Sequence, residues 1–395
     1  MKRIDAIILA GGYGSRISKV TKNKIPKSLL NINKKPFLDY LLKKISKYPF
    51  NKIIIVAGLK GRQIFKMYNK KKINLIDIEC FVEKKPKGTG VALNFIKKKI
   101  KNDFVLFNGD TFSDYKIENF FKNIINKKFI GKIILTSNNK KSLTKNLVNL
   151  NIDNKNIVNF SKKTSLISTG IIFFKKNIKN YLTKKIISFE NDVLRKLIIN
   201  RKMTGEIDKS FFIDIGTERN LNLARDKLPK IFHKPALFLD RDGVINKDLK
   251  YTHTIEKLFY NKKIFSVIRK FQKKNFFVFI VTNQSGIAKG YYTLDDFIKF
   301  QNYIKKDLFR YGIYINDIEF CPHHENGIIR RYKIFCNCRK PKIGMINNLK
   351  HRWIIDIKKS LFIGDKITDK ICAENSAIKF IYFKNVSKKN INQYY

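Results

Sequence analysis

Two aspartates one residue apart, Asp240 and Asp242, close the apolar run Phe238-Leu239 and lead into Gly243-Val244. A strand end that delivers a carboxylate into a glycine turn can present it to phosphorus as a nucleophile. A second acid two positions on can protonate the leaving oxygen and then activate water. Asp240 is the candidate nucleophile and Asp242 the candidate acid/base. Strands ending in Asp-rich turns are common without any catalysis, so the reading rests on three later segments. The run Val278 to Val281 ends in Thr282, Asn283 and Gln284, where the Thr282 hydroxyl can hold a phosphoryl oxygen with Asn283 beside it. Arg339-Lys340-Pro341 sets two cations on a stiff turn, with Lys340 suited to neutralising a transferring phosphoryl group. Leu361 to Gly364 ends in Asp365, a magnesium carboxylate for the same sheet edge as Asp240 and Asp242.

Three of the five cysteines lie between positions 321 and 338. Cys321 and His323 on one arm, with Cys336 and Cys338 on another, form a closed three-thiolate, one-imidazole set suited to structural zinc, with His324 as an alternative imidazole. Such a metal would pin the loop bearing Arg339 and Lys340. Cys80 and Cys372 fall in apolar patterns and read as core residues. No disulfide framework is indicated, which fits a reducing cytoplasm.

The amino-terminal half opens with the apolar run Ile4 to Ala10, followed by Gly11, Gly12 and Gly14. The run predicts a buried parallel strand, and the glycines a loop whose backbone amides approach triphosphate oxygens. The loop lacks the Gly-Lys-Ser/Thr of a P-loop and the spacing of a dinucleotide fingerprint. Arg16 and Lys27 supply cations just downstream, and Phe37 to about Ser46 has the spacing of an amphipathic helix. The opening apolar run is too short for a signal peptide, and no stretch approaches the ~20 residues of a membrane helix.

In the second half, Asp240, Thr282, Lys340 and Asp365 fall in the order of the four motifs of the haloacid dehalogenase phosphatases. The segments TNQSGIAKGYYT, CPHHE, CNCRKPKIGM and GDKITD narrow the resemblance to the D-glycero-D-manno-heptose 1,7-bisphosphate phosphatases, from about Ala236 onward. The histidinol phosphatases are the near alternative. The resemblance implies Arg339 as a substrate contact. In the first half, LAGGYGSR with IPKSLL resembles the sugar nucleotidyltransferases across about residues 1–227, closest to the heptose 1-phosphate guanylyltransferases and their mannose-using relatives. That resemblance implies a base- or ribose-contacting loop at Gly88 and Thr89, and magnesium held by Asp110 and Asp214. Arg16 and Lys27 would stabilise charge as a sugar phosphate displaces pyrophosphate. Where relatives carry Glu-Lys, this chain reads Ser161-Lys162, which leaves Lys162 as a phosphate cation without the sugar-binding acid. A nucleotide-sugar sensor without turnover is the alternative that Ser161 raises.

Lysine and arginine total 83 against 31 acids, a formal charge of +52. The lysines are spread along the chain together with asparagine and isoleucine, the pattern that AT-rich codons produce. No nucleic-acid module accompanies them, so no specific nucleic-acid partner is expected. The fold class expected is α/β: a nucleotidyltransferase domain over 1–229 and a phosphatase domain over 236–388 with a zinc loop, each on a parallel sheet with its motifs at strand carboxyl ends. The helix before the joint is expected to end near Asp226. The expected partners are heptose phosphates and a nucleoside triphosphate, GTP by resemblance, with no membrane and with a homo-oligomer left open.

Overall fold

The structure is a computed structural model that describes residues 2–12, 14–22, 24–122, 126–137, 150–161, 166–387 and 391–394. The chain divides into two compact units, Met1–Ser46 with Phe50–Leu228, and Pro229–Tyr395 with Lys47–Pro49.

In the first unit the strand Ile4–Ala10 lies between Ile53–Ala57 and Asp103–Asn108, parallel to both, and Ile76–Val82 pairs parallel outside Ile53–Ala57. Ile53–Ala57 is buried along its whole length, as a strand covered on both faces must be, and its Ile-Ile-Ile-Val run suits that position. The helix Phe37–Ser46 occupies the expected span and buries Phe37, Leu38, Leu41, Leu42 and Ile45.

The sheet is mixed rather than wholly parallel. Leu166–Phe174 runs antiparallel to Asp103–Asn108, Gly131–Ser137 runs antiparallel to Leu166–Phe174, and Met203–Ile207 runs parallel to Gly131–Ser137. Parallel neighbours need a crossover of a dozen or more residues. The strands Leu150–Ile152, Val158–Phe160 and Leu166–Phe174 follow one another at intervals too short for one, so Leu150–Ile152 pairs antiparallel with each of the others.

A separate two-stranded ribbon pairs Thr111–Ser113 with Phe212–Asp214, with Asp214 opposite Thr111. It joins segments a hundred residues apart and places Asp214 beside Asp110. The following helix, Glu218–Ile231, continues past Asp226 with Pro229 inside it. A proline near the end removes a ladder donor only where few turns remain to be disrupted.

The second unit has a five-stranded sheet in which every pairing is parallel. Ala236–Leu239 is central, Phe277–Asn283 and Leu361–Gly364 flank it, and Asp317–Cys321 and Lys379–Tyr382 lie outside. Leu239 is in register with both Ile280 and Ile363, so Asp240, Thr282 and Asp365 emerge together at the carboxyl edge. Connections leave the central strand in both directions, the topological switch at which open parallel sheets bind ligands. The amphipathic helix Lys263–Lys273 buries Ile264, Phe265, Val267, Ile268 and Phe271. Leu294–Arg310 starts from a capping box between Thr293 and Asp296.

Candidate active sites

In the first unit, Lys27 lies on a short turn, Asp110 directly after Asp103–Asn108 and Gly109, and Asp214 at the end of the ribbon. The Lys27 ammonium lies 2.6 Å from Asp110 Oδ2 and 3.0 Å from Asp214 Oδ1, and Arg16 reaches to 3.9 Å from Asp214 Oδ2. Asp214 is further held by the Gly216 N–H, which donates to Oδ1 at 2.7 Å. Burial alone would lower the Lys27 pKa, but Asp110 and Asp214 raise it above the ordinary lysine value. Burial pushes Asp110 up, and Lys27 more than offsets this, so its carboxyl lies below the usual range. Two carboxylates brought together in this way suit a divalent cation, and Lys27 lies between them.

Gly11 lies against Gly58 so closely that a side chain on Gly58 would strike the Gly11 backbone, and Gly14 has φ +63°. Gly88 caps the helix Thr89–Phe95, as expected for a loop opening a helix. The Thr89 hydroxyl is committed elsewhere: it donates to Glu190 and accepts from the Phe189 N–H at 3.0 Å. Lys162 lies outside the described residues. Glu83 follows Ile76–Val82, and burial pushes its carboxyl up to about 7. It was not singled out from sequence, although an acid directly after an apolar strand is the signal that marks Asp240.

In the second unit, the strand ends converge on a cleft of about 570 Å³ lined by Asp240, Asp242, Thr282, Asn283, Arg339 and Lys340 among others. Lys340 Nζ is 2.8 Å from Asp240 Oδ1 and 2.6 Å from Asp369 Oδ1, and it donates to the Val281 carbonyl at 2.8 Å. Burial would lower the Lys340 pKa, yet Asp240 and Asp369 raise it. Burial pushes the Asp240 carboxyl up to about 7 against the pull of Lys340. Asn283 positions the lysine: its side chain accepts from Lys340 N at 3.0 Å and donates to Lys340 O at 3.1 Å. Asp369 caps the helix Ile367–Asn375 through the N–H groups of Asp365 and Lys366 and also holds Lys340.

Carboxylate oxygens of Asp240, Asp365 and Asp369 lie within 4.8 Å of one another. Asp365 Oδ1 is buried and has no hydrogen-bond partner among the described residues, a polar atom that a hard cation would satisfy. Gly243, with φ +92°, leaves room for this acid, since a Cβ there would collide with the Asp365 carboxylate. The Asp242 carboxylate is engaged differently. Arg241 donates to both its oxygens at 3.1 and 2.7 Å, Asn246 to Oδ1 at 2.9 Å and Gln284 to Oδ2 at 3.0 Å. Its side chain is therefore apart from the carboxylate cluster in which it was expected.

Arg241 and Gln284 were not singled out from sequence. Arg241 is fully buried, with its guanidinium over the rings of Phe297 and Phe300. A cation between two catalytic acids reads as a solvated turn until the helix that covers it is seen.

The zinc candidates converge as the spacing implied. Cys338 Sγ lies 3.1 Å from Cys321 Sγ, 3.3 Å from Cys336 Sγ and 3.2 Å from His323 Nδ1, while Cys321 and Cys336 are 3.5 Å apart. Four soft donors this close surround a single point, which fits one tetrahedral zinc ion. His324 is not in the set. All five cysteines are free.

Comparison with known proteins agrees with the two units. The Nucleotidyl transferase family model matches residues 5–230, and the Polynucleotide kinase 3 phosphatase model matches residues 240–390. The chain is 44% identical over 154 residues to the D-glycero-alpha-D-manno-heptose-1,7-bisphosphate 7-phosphatase of Campylobacter jejuni, covering 39% of this chain and 84% of that protein. It is 39% identical over 151 residues to the D-glycero-beta-D-manno-heptose-1,7-bisphosphate 7-phosphatase of Rhodopseudomonas palustris, covering 38% and 84%. Among solved structures, HddC from Yersinia pseudotuberculosis is 28% identical, covering 57% of this chain and 99% of its own, with a TM-score of 0.48. No helix of the described residues is long and apolar enough to cross a membrane. The chain thus belongs to the nucleotidyl transferase family through its first half and to the D-glycero-D-manno-heptose-1,7-bisphosphate 7-phosphatases through its second, and it is an enzyme with both domains.

Proposed function

We propose that the second unit removes the 7-phosphate of D-glycero-D-manno-heptose 1,7-bisphosphate and that the first unit joins the resulting heptose 1-phosphate to a nucleotidyl group, GMP from GTP. The observation that carries the phosphatase reading is the buried ammonium of Lys340 beside Asp240, at the end of the central parallel strand and next to the unsatisfied Asp365 oxygen.

An Asp240 oxygen attacks the 7-phosphorus and the phosphorus–O7 bond breaks. Asp242 gives its proton to the departing sugar oxygen, and the phosphoryl group is left as an acyl phosphate on Asp240. Water then attacks phosphorus, Asp242 takes the proton, and inorganic phosphate leaves with Asp240 regenerated. Lys340 and the Thr282 hydroxyl stabilise the transferring oxygens, and Arg339 contacts the substrate. Magnesium held by Asp240 and Asp365, in the carboxylate cluster they form with Asp369, would offset phosphoryl charge. The zinc candidate set is structural and holds the segment that leads into Arg339 and Lys340.

In the first unit, the sugar phosphate oxygen attacks the α-phosphorus and pyrophosphate leaves, so no protein nucleophile is needed. Gly11, Gly12 and Gly14 offer backbone amides to the triphosphate, the backbone at Gly88 and Thr89 contacts the nucleoside while the Thr89 hydroxyl stays with Glu190 and Phe189, and Arg16, Lys27 and Lys162 bind phosphate oxygens. Magnesium on Asp110 and Asp214 would neutralise charge on the phosphates. A cytoplasmic location fits such substrates.

The test is incubation of the full chain with magnesium, heptose 1,7-bisphosphate and an equimolar mixture of nucleoside triphosphates, followed by mass spectrometry. GDP-heptose is the expected product. Unchanged bisphosphate would overturn the heptose assignment, and heptose 1-phosphate without nucleotide sugar would overturn the assignment of the first unit.

A further inference from the structure

One buried amide links two groups of the phosphatase site. Gln284 is 2% exposed and lies two residues beyond Thr282. Its Nε2 donates at 2.8 Å to Thr282 Oγ1 and at 3.0 Å to Asp242 Oδ2, so both amide protons are used. Its Oε1 accepts from the Tyr292 hydroxyl at 2.7 Å, and its backbone N–H donates to the Cys321 carbonyl at 2.7 Å. The orientation of the amide follows from its neighbours. Turned round, its carbonyl oxygen would face the Asp242 carboxylate. Tyr292 can satisfy Oε1 only as a donor, and burial pushes its phenol up to about 12, which keeps that proton in place.

The consequence concerns Thr282. A hydroxyl has one proton to donate, and an amide donor on its oxygen leaves that proton for another acceptor. The Thr282 hydroxyl makes no donor bond among the described residues, and Thr282 lines the cleft floored by Asp240. We infer that Gln284 is a positioning residue of the phosphatase: it fixes the Asp242 carboxylate and, by donating to Thr282 Oγ1, directs the Thr282 hydroxyl proton at the transferring phosphoryl group. Gln284 borders the cleft, but it is 2% exposed and its side-chain polar atoms are all committed, so it acts through Asp242 and Thr282. The inference rests on the reading of Asp240 as nucleophile and Asp242 as acid/base.

Gln284→Met keeps the length of the side chain and removes all three side-chain hydrogen bonds. In the full chain its kcat for heptose 1,7-bisphosphate is expected to fall by roughly 10- to 100-fold with KM within about twofold of wild type. Inhibition by orthovanadate, which mimics the five-coordinate phosphorus, should weaken by a similar factor, and inhibition by inorganic phosphate should not. Since Gln284 acts partly through Thr282, the double variant Gln284→Met/Thr282→Val should lose clearly less than the product of the two single losses. Should Gln284→Met fail to fold, Tyr292→Phe removes only the hydroxyl that orients the amide and is expected to lower kcat by about 3- to 10-fold. If heptose bisphosphate is not a substrate, p-nitrophenyl phosphate serves for the same comparisons.

Wild-type kcat in Gln284→Met or Tyr292→Phe, a loss confined to KM, or fully multiplicative losses in the double variant would each overturn the inference. Asp240→Asn separates the two levels. Turnover retained in that variant overturns the nucleophile reading and this inference with it, whereas an inactive Asp240→Asn beside a fully active Gln284→Met overturns the inference alone.

Discussion

At the scale of single residues, both sites repeat one device: a lysine withdrawn from solvent, half-buried at Lys27 and buried at Lys340, bridges two carboxylates carried by different segments. Lys27 joins Asp110 to Asp214, and Lys340 joins Asp240 to Asp369. The arrangement keeps one cation where phosphate charge must be met, and it makes the acids dependent on that cation. Lys340→Met would leave two buried carboxylates facing each other without an ammonium. Removing one partner of a buried ion pair typically costs about 3–5 kcal/mol, and urea unfolding of the second unit should show a loss of that size. Phosphatase turnover should fall by at least about 10³-fold in the same variant, because the phosphoryl charge loses its nearest fixed cation. Turnover near wild type would show that Lys340 is a structural counter-ion only.

At the scale of elements, two segments have consequences that their own periodicity does not announce. The loop from Cys321 to Cys338 brings four metal-binding donors together just before Arg339 and Lys340. Cys336→Ser, or treatment with a strong zinc chelator, is expected to remove one metal ion per chain. The melting temperature of the second unit should drop by several degrees, and kcat should fall as the two cations lose their anchor. Metal analysis beside a thermal melt checks both outcomes.

The helix Leu294–Arg310 carries the other consequence. Its inward face includes Phe297, Phe300, Ile304 and Leu308, but also Lys305, which is 4% exposed. Burial pushes the Lys305 amine down to about 7, with Asp317 pulling the other way. The unfolded chain keeps that proton up to the ordinary lysine value of about 10.4. Between about pH 7 and pH 10 the unfolded state therefore binds more protons, and stability rises with pH. Lys305→Met removes this term. It is expected to stabilise the unit by a few kcal/mol at pH 7 and by progressively less toward pH 10, as read from denaturant midpoints across that range.

At the scale of the whole molecule, two families share one chain, and each unit holds its own acids, cation and sheet edge. The two activities should be separable by single substitutions. Asp110→Asn is expected to abolish nucleotidyl transfer and leave the phosphatase rate within about twofold, and Asp240→Asn to do the reverse, since sites with no shared partners act additively. Parallel assays of phosphate and pyrophosphate release on the two variants check this. Loss of both rates in either variant would show that the sites are energetically coupled.

Much of this was legible in the sequence, for a physical reason: a parallel sheet places its ligands at strand carboxyl ends, so an apolar run followed by an acid marks both an element and a site. Asp110, Asp240 and Asp365 were visible in this way, as were the Cys-x-His and Cys-x-Cys arms, whose short spacings almost dictate a shared ligand. The helix Phe37–Ser46 was visible because its 3.6-residue period is a local property. What depended on pairing between distant segments was not. The antiparallel strands beside Asp103–Asn108 and the retraction of Asp242 onto Arg241 and Gln284 are set by register and packing, and the pairing of Asp214 with Asp110 was expected by resemblance rather than from any local pattern. Asp369 shows the division most plainly: its place in a first helical turn is local information, whereas its ion pair with Lys340 exists only because the turn before the helix Gly344–Arg352 folds back onto the edge where Leu361–Gly364 ends.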